Sequence, residues 1–450
     1  MSKQLFGTDG IRGEAGKPPL DPPTIFAAGL SLGSHLSKKK PRPRVIVGED
    51  PRESSRWIAE TVAAGLQEAG AEIVTVGVVT TPAVAYLSLS EGFDAGVMIS
   101  ASHNPYLDNG IKVFASTGYK LPDEEEKEVE AEIVRLLGRD SGLQPRRLAL
   151  EPDRLLVRKY IGFLRGPSSS SLLPGLRLVL DCANGSASAL AAEVFSGFGM
   201  KVTILSDRPD GRNINLDCGS LHLENLRRAV LEGQAGVGIA FDGDADRALF
   251  VTGRGQIVNG DGVLLAAARY MKRRGVLRGG AVVGTVMSNL GLEIALGREG
   301  LQLLRTQVGD KYVLDEMLRT GCNLGGEQSG HVIFRDLATT GDGLLTALQV
   351  LRIMAGEQQT LEQLVEGLEI FPQTIRNVRV REKVPLESVP QVMEEIRASE
   401  RQLGRSGRVV VRYSGTEPLA RVMVEAETEA DVERHASAIA GAIERCLGAR

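Results

Sequence analysis

The chain has 450 residues, 42% hydrophobic and 24% charged. At roughly 150 residues per domain this predicts about three domains, with four within reach, and ample apolar material for several buried cores. Its 53 basic and 57 acidic residues leave a net charge of −4, which argues against the basic stripe of a nucleic-acid binder.

No apolar run approaches the ~18–20 residues that span a bilayer. The opening MSKQLFGTDG lacks the apolar core of a signal peptide. Cys182, Cys218, Cys322 and Cys446 form no CxxC pair, so neither a zinc site nor a disulfide framework is expected. The expectation is a cytoplasmic protein with reduced thiols. The 53 glycines follow no collagen period and predict tight turns and close backbone approaches.

In chain order, β-branched runs alternate with amphipathic stretches. Residues 45–48 predict a strand, 53–69 a helix, 72–76 a strand, 82–89 a helix and 95–100 a strand. This alternation reads as α/β with parallel pairing. A Gly/Pro/Ser linker spans 166–175, after which the pattern restarts: strand 176–181, helix 187–199, strand 201–205 and strand 237–241. A third block holds strands 281–286 and 301–306 and helices 290–297, 310–319 and 341–355. The last block reads as strand 374–381, helix 387–402, strands 408–413 and 420–427 and a closing helix, a small α+β domain.

Four polar clusters follow strand-like runs or sit between two. Ligands of open α/β sheets bind beyond the carboxyl ends of strands, so four clusters facing one cleft would make one composite site. The first is Ser100-Ala101-Ser102-His103-Asn104-Pro105, with Asp108-Asn109-Gly110-Ile111-Lys112 after it. It places a hydroxyl beside an imidazole in a tight turn, which suits a covalent nucleophile; it also fits a plain Ser/Asn turn. There is no G-x-S-x-G elbow. The second is Asp242-Gly243-Asp244-Ala245-Asp246-Arg247. Three carboxylates this close repel unless neutralised, and all-oxygen ligands favour Mg²⁺. Gly253 stands where a calcium loop needs its last Glu; a dehalogenase-type aspartyl nucleophile stays in competition.

The third cluster, Gly325-Gly326-Glu327-Gln328-Ser329-Gly330-His331, puts a carboxylate and a hydroxyl at i and i+2. That suits vicinal sugar hydroxyls, and equally an ordinary hairpin turn. The fourth, Arg412-Tyr413-Ser414-Gly415-Thr416-Glu417-Pro418 with Arg421, has the chemistry of a phosphate cradle without a Walker motif; a surface loop with incidental arginines fits too. Phe6-Gly7-Thr8-Asp9-Gly10-Ile11-Arg12-Gly13 is glycine-rich but is not a dinucleotide fingerprint.

Taken together and in this order, FGTDGIRG, ISASHNP with DNGIKVF, FDGDADR, GGEQSGH and RYSGTEP resemble the α-D-phosphohexomutase superfamily. Asn213-Ile214-Asn215, Cys218-Gly219-Ser220-Leu221-His222, 284–291 and 340–345 are similar to its glucosamine branch. The resemblance covers the whole chain. It implies three similar mixed α/β domains, at 1–165, 175–258 and 259–370, and a smaller C-terminal α+β domain at 374–450, around a central cleft. It implies that Ser102 carries a phosphoryl group, and that Asp242, Asp244 and Asp246 hold one Mg²⁺ with a phosphoserine oxygen of Ser102. It implies that Arg12, Lys112 and Arg247 line the reaction centre. Arg12, His103 and Lys112 are the candidates to manage the proton. Glu327 and Ser329 match the sugar clamp, and Arg412, Ser414, Gly415, Thr416 and Arg421 the phosphate loop. At Gln307, where several members carry Lys, the chain departs from the pattern, so no phosphate contact is expected there, and Lys311 is not counted on to replace it.

The activity so implied is interconversion of glucosamine 6-phosphate and glucosamine 1-phosphate. It runs through a phosphoserine enzyme and a sugar 1,6-bisphosphate and feeds UDP-N-acetylglucosamine and cell-wall precursors. The partner is a small phosphosugar, without nucleic acid or membrane, and a homodimer is compatible. Competing readings are a phosphomannomutase/phosphoglucomutase, a catalytically silent phosphosugar-binding protein, and a dehalogenase-type phosphatase.

Overall fold

The computed structural model describes residues 5–7, 9–138, 143–166, 172–414 and 418–449. The chain forms two compact units: Met1–Thr285 with Thr306–Glu366, and Val286–Arg305 with Gly367–Arg450. No helix among the described residues is long and apolar enough to cross a membrane.

The first sheet of the larger unit runs Phe6–Gly7, Gly10–Glu14, Asp108–Ala115, Ala95–Ile99, Arg44–Glu49, Glu72–Val78. Arg44–Glu49 is parallel to both Glu72–Val78 and Ala95–Ile99. The parallel pairing expected from the sequence stops there. Asp108–Ala115 is antiparallel to Ala95–Ile99 and to Gly10–Glu14. The link 100–107 is too short for a crossover of about a dozen residues, so the chain returns antiparallel. Ala95–Ile99 is buried along its whole length, as a central strand covered on both faces must be. Helix Pro22–Lys39 packs on this sheet; it starts with prolines in its first turn and ends in Lys38 and Lys39, the pattern that suits the helix dipole.

The second sheet pairs Arg177–Asp181 in parallel with Lys201–Leu205 and Val237–Phe241, and Ala248–Thr252 returns antiparallel. The helix expected over 187–199 is broken into a 3₁₀ turn, Ser186–Ala189, and a short helix, Ala191–Val194. Gly197 and Gly199 adopt φ of 79° and 76°, which stops the helical run. In the third block Ala281–Thr285 is parallel to Leu324–Gly326, which folds back on Val332–Phe334. The glycine cluster between them is the hairpin turn.

The smaller unit has an antiparallel sheet, Gln373–Arg379, Leu419–Ala426, Gly407–Tyr413. Helices Pro390–Leu403 and Glu429–Leu447 cover it, with Val392, Ile396, Val422, Val424, Ile439 and Ile443 in the core. The segment Val286–Arg305, with helix Leu290–Arg298, belongs to this unit. Glu425, fully buried, accepts from Asn289 Nδ2 at 3.1 Å and is paired with Arg408, and the Arg408 and Arg305 guanidiniums both reach the Ser288 carbonyl at 2.6 Å.

Candidate active site

The buried strand Ala95–Ile99 delivers the chain into the Ser102 loop, which is held from behind. Ser102 lies at φ 53° and is 1% exposed, an uncommon conformation for a side chain with a Cβ. Its N–H donates to Ser100 Oγ at 3.0 Å, and Ser100 Oγ donates to Asp50 Oδ2 at 2.7 Å. Arg52, fully buried, pairs with Asp50 at 2.8 Å. Its remaining N–H groups donate to the carbonyls of Ser102 (2.8 Å), Asn104 (2.9 Å), Asp108 (3.1 Å) and Pro105. One planar guanidinium therefore fixes four carbonyls of a single loop, which the five-donor fork of arginine allows and a lysine does not. Asn215 Nδ2 adds a second donor to the Ser102 carbonyl at 3.0 Å.

The equally buried strand Val237–Phe241 delivers Asp242 to the same place. Ser102 Oγ donates to Asp242 Oδ2 at 2.5 Å. Gly243 has to be glycine, because a Cβ there would lie 2.5 Å from the Ser102 carbonyl oxygen. Asp242, Asp244 and Asp246 are buried, with a carboxylate oxygen from each within 4.8 Å of the others. Burial pushes Asp242 well above the carboxylate range, and the Asp246 and Asp244 charges push it further. Asp244 Oδ1 and Asp246 Oδ1 have no hydrogen-bond partner among the described residues. Buried carboxylate oxygens are normally satisfied. Three converging buried carboxylates, two with an oxygen that no described residue satisfies, fit a hard divalent cation such as Mg²⁺.

Lys112, 2% exposed, reaches Asp244 at 2.8 Å, Asp9 at 3.1 Å and Asp246 at 3.6 Å. Burial would lower its pKa, but those carboxylates outweigh it and hold the ammonium charged. Arg12 pairs with Asp9, and Lys120 Nζ bridges Asp9 (2.5 Å) and Asp310 (2.7 Å). Burial opposes ionisation of Asp9, yet Lys112, Lys120 and Arg12 keep it well below the usual range. The glycine-rich opening now has its reason. Gly10, at φ 81°, passes so close to the Asp108–Ala115 strand that a Cβ would meet the Ile111 carbonyl at 2.2 Å. Arg247 donates its backbone N–H to Asp242 Oδ1 at 3.1 Å, and its side chain stands 3.7 Å from Asp246.

His103 Nδ1 is 3.3 Å from Ser102 Oγ. Burial, then the Arg247 and Arg12 charges, pull its pKa down to about 4. An unfolded His near 6.5 takes up its proton first. The stabilisation is therefore complete above pH 6.5 and is lost as pH falls toward 4. In the metal-free, unphosphorylated protein the His103 Cε1–H resonance should stay at its neutral position from pH 8 to about 5; a midpoint near 6.5 would contradict this.

The third cluster lies in the larger unit as well. Glu327, half-buried, accepts the Gly309 N–H at 2.9 Å, and Ser329 is exposed on the turn. His331 sits 3.7 Å from Asp246, while its Nε2 accepts from the Gly341 N–H. Gln307 is exposed, and Lys311 pairs with Asp123, so neither is committed to an anion site here. In the smaller unit Arg412 and Arg421 are directly opposed on neighbouring strands. Burial and then the Arg421 charge lower the Arg412 pKa. Two facing cations are unfavourable, and an anion between them would relieve this. Arg421 Nη2 lies 3.4 Å from Ser414 Oγ, and Lys383 Nζ donates to the Ser414 carbonyl at 2.6 Å. Gly415 and Thr416 lie outside the described residues.

The structure thus gathers Arg12, Ser102, His103, Lys112, Asp242, Asp244, Asp246 and Arg247 into one cluster. Sequence reasoning missed Asp50, Arg52, Lys120 and Asp310, and left Asp9 and His331 without roles. For Arg52 a signal existed: Glu49-Asp50-Pro51-Arg52 is a charged run directly after an apolar strand, just as the aspartate loop is.

The phosphoglucomutase/phosphomannomutase family models match this chain in four pieces: α/β/α domain I over residues 3–137, domain II over 158–255, domain III over 259–371 and the C-terminal domain over 376–442. A phosphoglucosamine mutase of Solibacter usitatus is 54% identical over 100% of both chains. One of Koribacter versatilis is 53% identical over 99% of this chain and 98% of its own. A crystal structure of a phosphoglucomutase/phosphomannomutase family protein from Burkholderia thailandensis superposes with a TM-score of 0.79 at 26% identity, covering 99% of this chain and 98% of that one.

Proposed function

The chain belongs to the phosphoglucomutase/phosphomannomutase family, and from that premise we propose that it is a phosphoglucosamine mutase, interconverting glucosamine 6-phosphate and glucosamine 1-phosphate. The observation that carries the reading is Ser102 Oγ on Asp242 at 2.5 Å, inside a buried aspartate triad beside a charged lysine. A silent binding protein has no use for that arrangement. A phosphatase using Asp242 as nucleophile leaves the Arg52-clamped serine loop without a purpose.

In this reading Ser102 is the phosphoryl carrier. The P–O bond to Ser102 breaks as a sugar hydroxyl forms a new one, giving a 1,6-bisphosphate; the other phosphoryl group then returns to Ser102. Asp242, Asp244 and Asp246, with the phosphate on Ser102, would hold Mg²⁺, which supplies charge neutralisation at the transferring group. Lys112, Arg12 and Arg247 add fixed positive charge where phosphate oxygens gather, the main protein contribution to phosphoryl transfer. The attacking hydroxyl must lose a proton. Of Arg12, His103 and Lys112, a guanidinium does not deprotonate, and His103, with its Nδ1 3.3 Å from Ser102 Oγ, is the group placed to accept it. Glu327 and Ser329 serve as the sugar clamp, and Arg412, Ser414 and Arg421 hold a phosphate. The reading carries with it a cytoplasmic enzyme whose partner is a small phosphosugar.

The deciding experiment is a coupled assay of glucosamine, glucose and mannose 6-phosphates on one preparation. The glucosamine ester should give the highest kcat/KM; preference for mannose or glucose would move the chain to the other branch, and no turnover would leave a binding protein. Asp244→Asn and Asp246→Asn each remove a full charge at constant size. Activity should fall at least about 10–100-fold, the range typical of outer-shell partners alone, with partial recovery at high Mg²⁺. Full activity after chelation would exclude the metal.

A further inference from the structure

We propose that Tyr160 is a positioning residue for the aspartate loop, setting its affinity for the divalent cation from behind. The proposal rests on the reading that Asp242, Asp244 and Asp246 bind that cation.

Tyr160 lies on helix Arg154–Arg165 and is fully buried, its ring packed near Tyr86 and Phe163. Its hydroxyl touches two helix caps. Thr80 Oγ1 donates to it at 3.2 Å, and it donates to Asp342 Oδ2 at 2.8 Å. Thr80 caps helix Thr81–Ser90 by accepting the Ala83 N–H, and Asp342 caps helix Gly343–Glu357 by accepting the Leu345 N–H at 2.9 Å. One phenol therefore links the N-caps of two helices far apart in sequence.

The first N–H of each of those helices has no partner within its own helix. Both are used on the aspartate loop. Thr81 N–H donates to the Asp244 carbonyl at 3.0 Å, and Gly343 N–H donates to the Ala245 carbonyl at 2.9 Å. Thr81 Oγ1 also donates to the Asp244 carboxylate at 2.5 Å. Two helix N-termini thus grip two consecutive carbonyls, and the Tyr160 hydroxyl sets the spacing between the grips. Position 343 has to be glycine for this close approach, since a Cβ there would lie 2.5 Å from the Arg247 carbonyl oxygen. Loss of the hydroxyl frees the two caps from each other and leaves a buried Asp342 oxygen without its donor. The carboxylates then have to be gathered at the moment of metal binding, and affinity drops.

The test is calorimetric titration of Mg²⁺ into folded protein, with melting temperature measured in parallel. Wild type has to bind Mg²⁺; if it does not, the metal reading itself fails. Given that it binds, Tyr160→Phe should raise the Kd roughly three- to tenfold, the size of one net hydrogen bond. The KM for the sugar phosphate and the kcat, both at saturating Mg²⁺, should stay near wild type. Thr80→Val should raise the Kd as well, and Thr80→Ser should restore it. Thr75→Val removes a comparably buried hydroxyl from the same unit, which donates to the Val47 carbonyl; it should lower the melting temperature and leave the Kd in place. If Tyr160→Phe does not fold, Thr80→Val and Thr80→Ser decide. Melting temperatures that fall while the Kd stays within about twofold of wild type would reduce Tyr160 to core packing and overturn the proposal. A Thr75→Val shift as large as that of Tyr160→Phe would do the same.

Discussion

Replacing Ser102 by alanine is expected to leave the sugar phosphate bound and to cut turnover by more than about 10³-fold, since the group removed is the carrier itself and not a binding contact. Intact-mass and peptide mapping of active wild-type protein should find phosphate on Ser102. The neighbouring Ser100 is the natural competitor, and the structure separates the two. Ser100 Oγ already donates to Asp50 and accepts the Ser102 N–H, so it is committed to holding the loop. Ser102 Oγ instead points at the aspartate triad. Ser100→Ala should therefore lower stability before it touches chemistry. Phosphate mapped to Ser100, together with an active Ser102→Ala protein, would reverse the assignment.

The largest effect on stability is expected at Arg52. Arg52→Met leaves the Asp50 carboxylate, 1% exposed, without its counter-charge and removes one donor from each of four loop carbonyls. Breaking a buried pair by removing one partner costs about 3–5 kcal/mol, read as a shift of the urea midpoint at constant slope. Arg52→Lys should recover little, because an ammonium cannot span the same carbonyls. The exposed pair Arg212–Glu53 is the comparison; Arg212→Met should leave the midpoint where it is. Equal shifts in the two variants would mean that the Ser102 loop holds its shape without the clamp.

The sequence announced the parts of the site that follow strands. Ala95–Ile99, Val237–Phe241 and Leu324–Gly326 each run into a polar cluster, and a short apolar run ending in charge is visible to any reader of the chain. Long-range partnerships were not visible in the same way. Lys120 and Asp310 are 190 residues apart, and nothing local to either signals the other. The apolar spacing over 187–199 suits one helix, whereas the fold has only a 3₁₀ turn and a four-residue helix there, followed by two glycines at positive φ. The antiparallel return of Asp108–Ala115 was hidden by the strand–helix rhythm before it, although the short link from Ile99 already forbade a crossover. Residues 286–305 read as part of the third block, and the domain III match over 259–371 includes them; what stayed hidden is the Asn289–Glu425 hydrogen bond, which depends on a residue 136 positions away.

That last feature constrains how the protein is made. Residues 286–305 leave the ribosome well before the strand Leu419–Ala426 that carries Glu425. Until that strand emerges, Asn289 lacks its Glu425 partner, and the Glu425 that pairs with Arg408 is likewise still to come. The larger unit can bury its own cores during synthesis, whereas the smaller one closes only in the final stretch of translation. A fragment beginning at Gly367 carries a fully buried glutamate with one of its neutral donors missing. Expressed alone, it should be poorly soluble, and supplying residues 286–305 as a fused segment should rescue it.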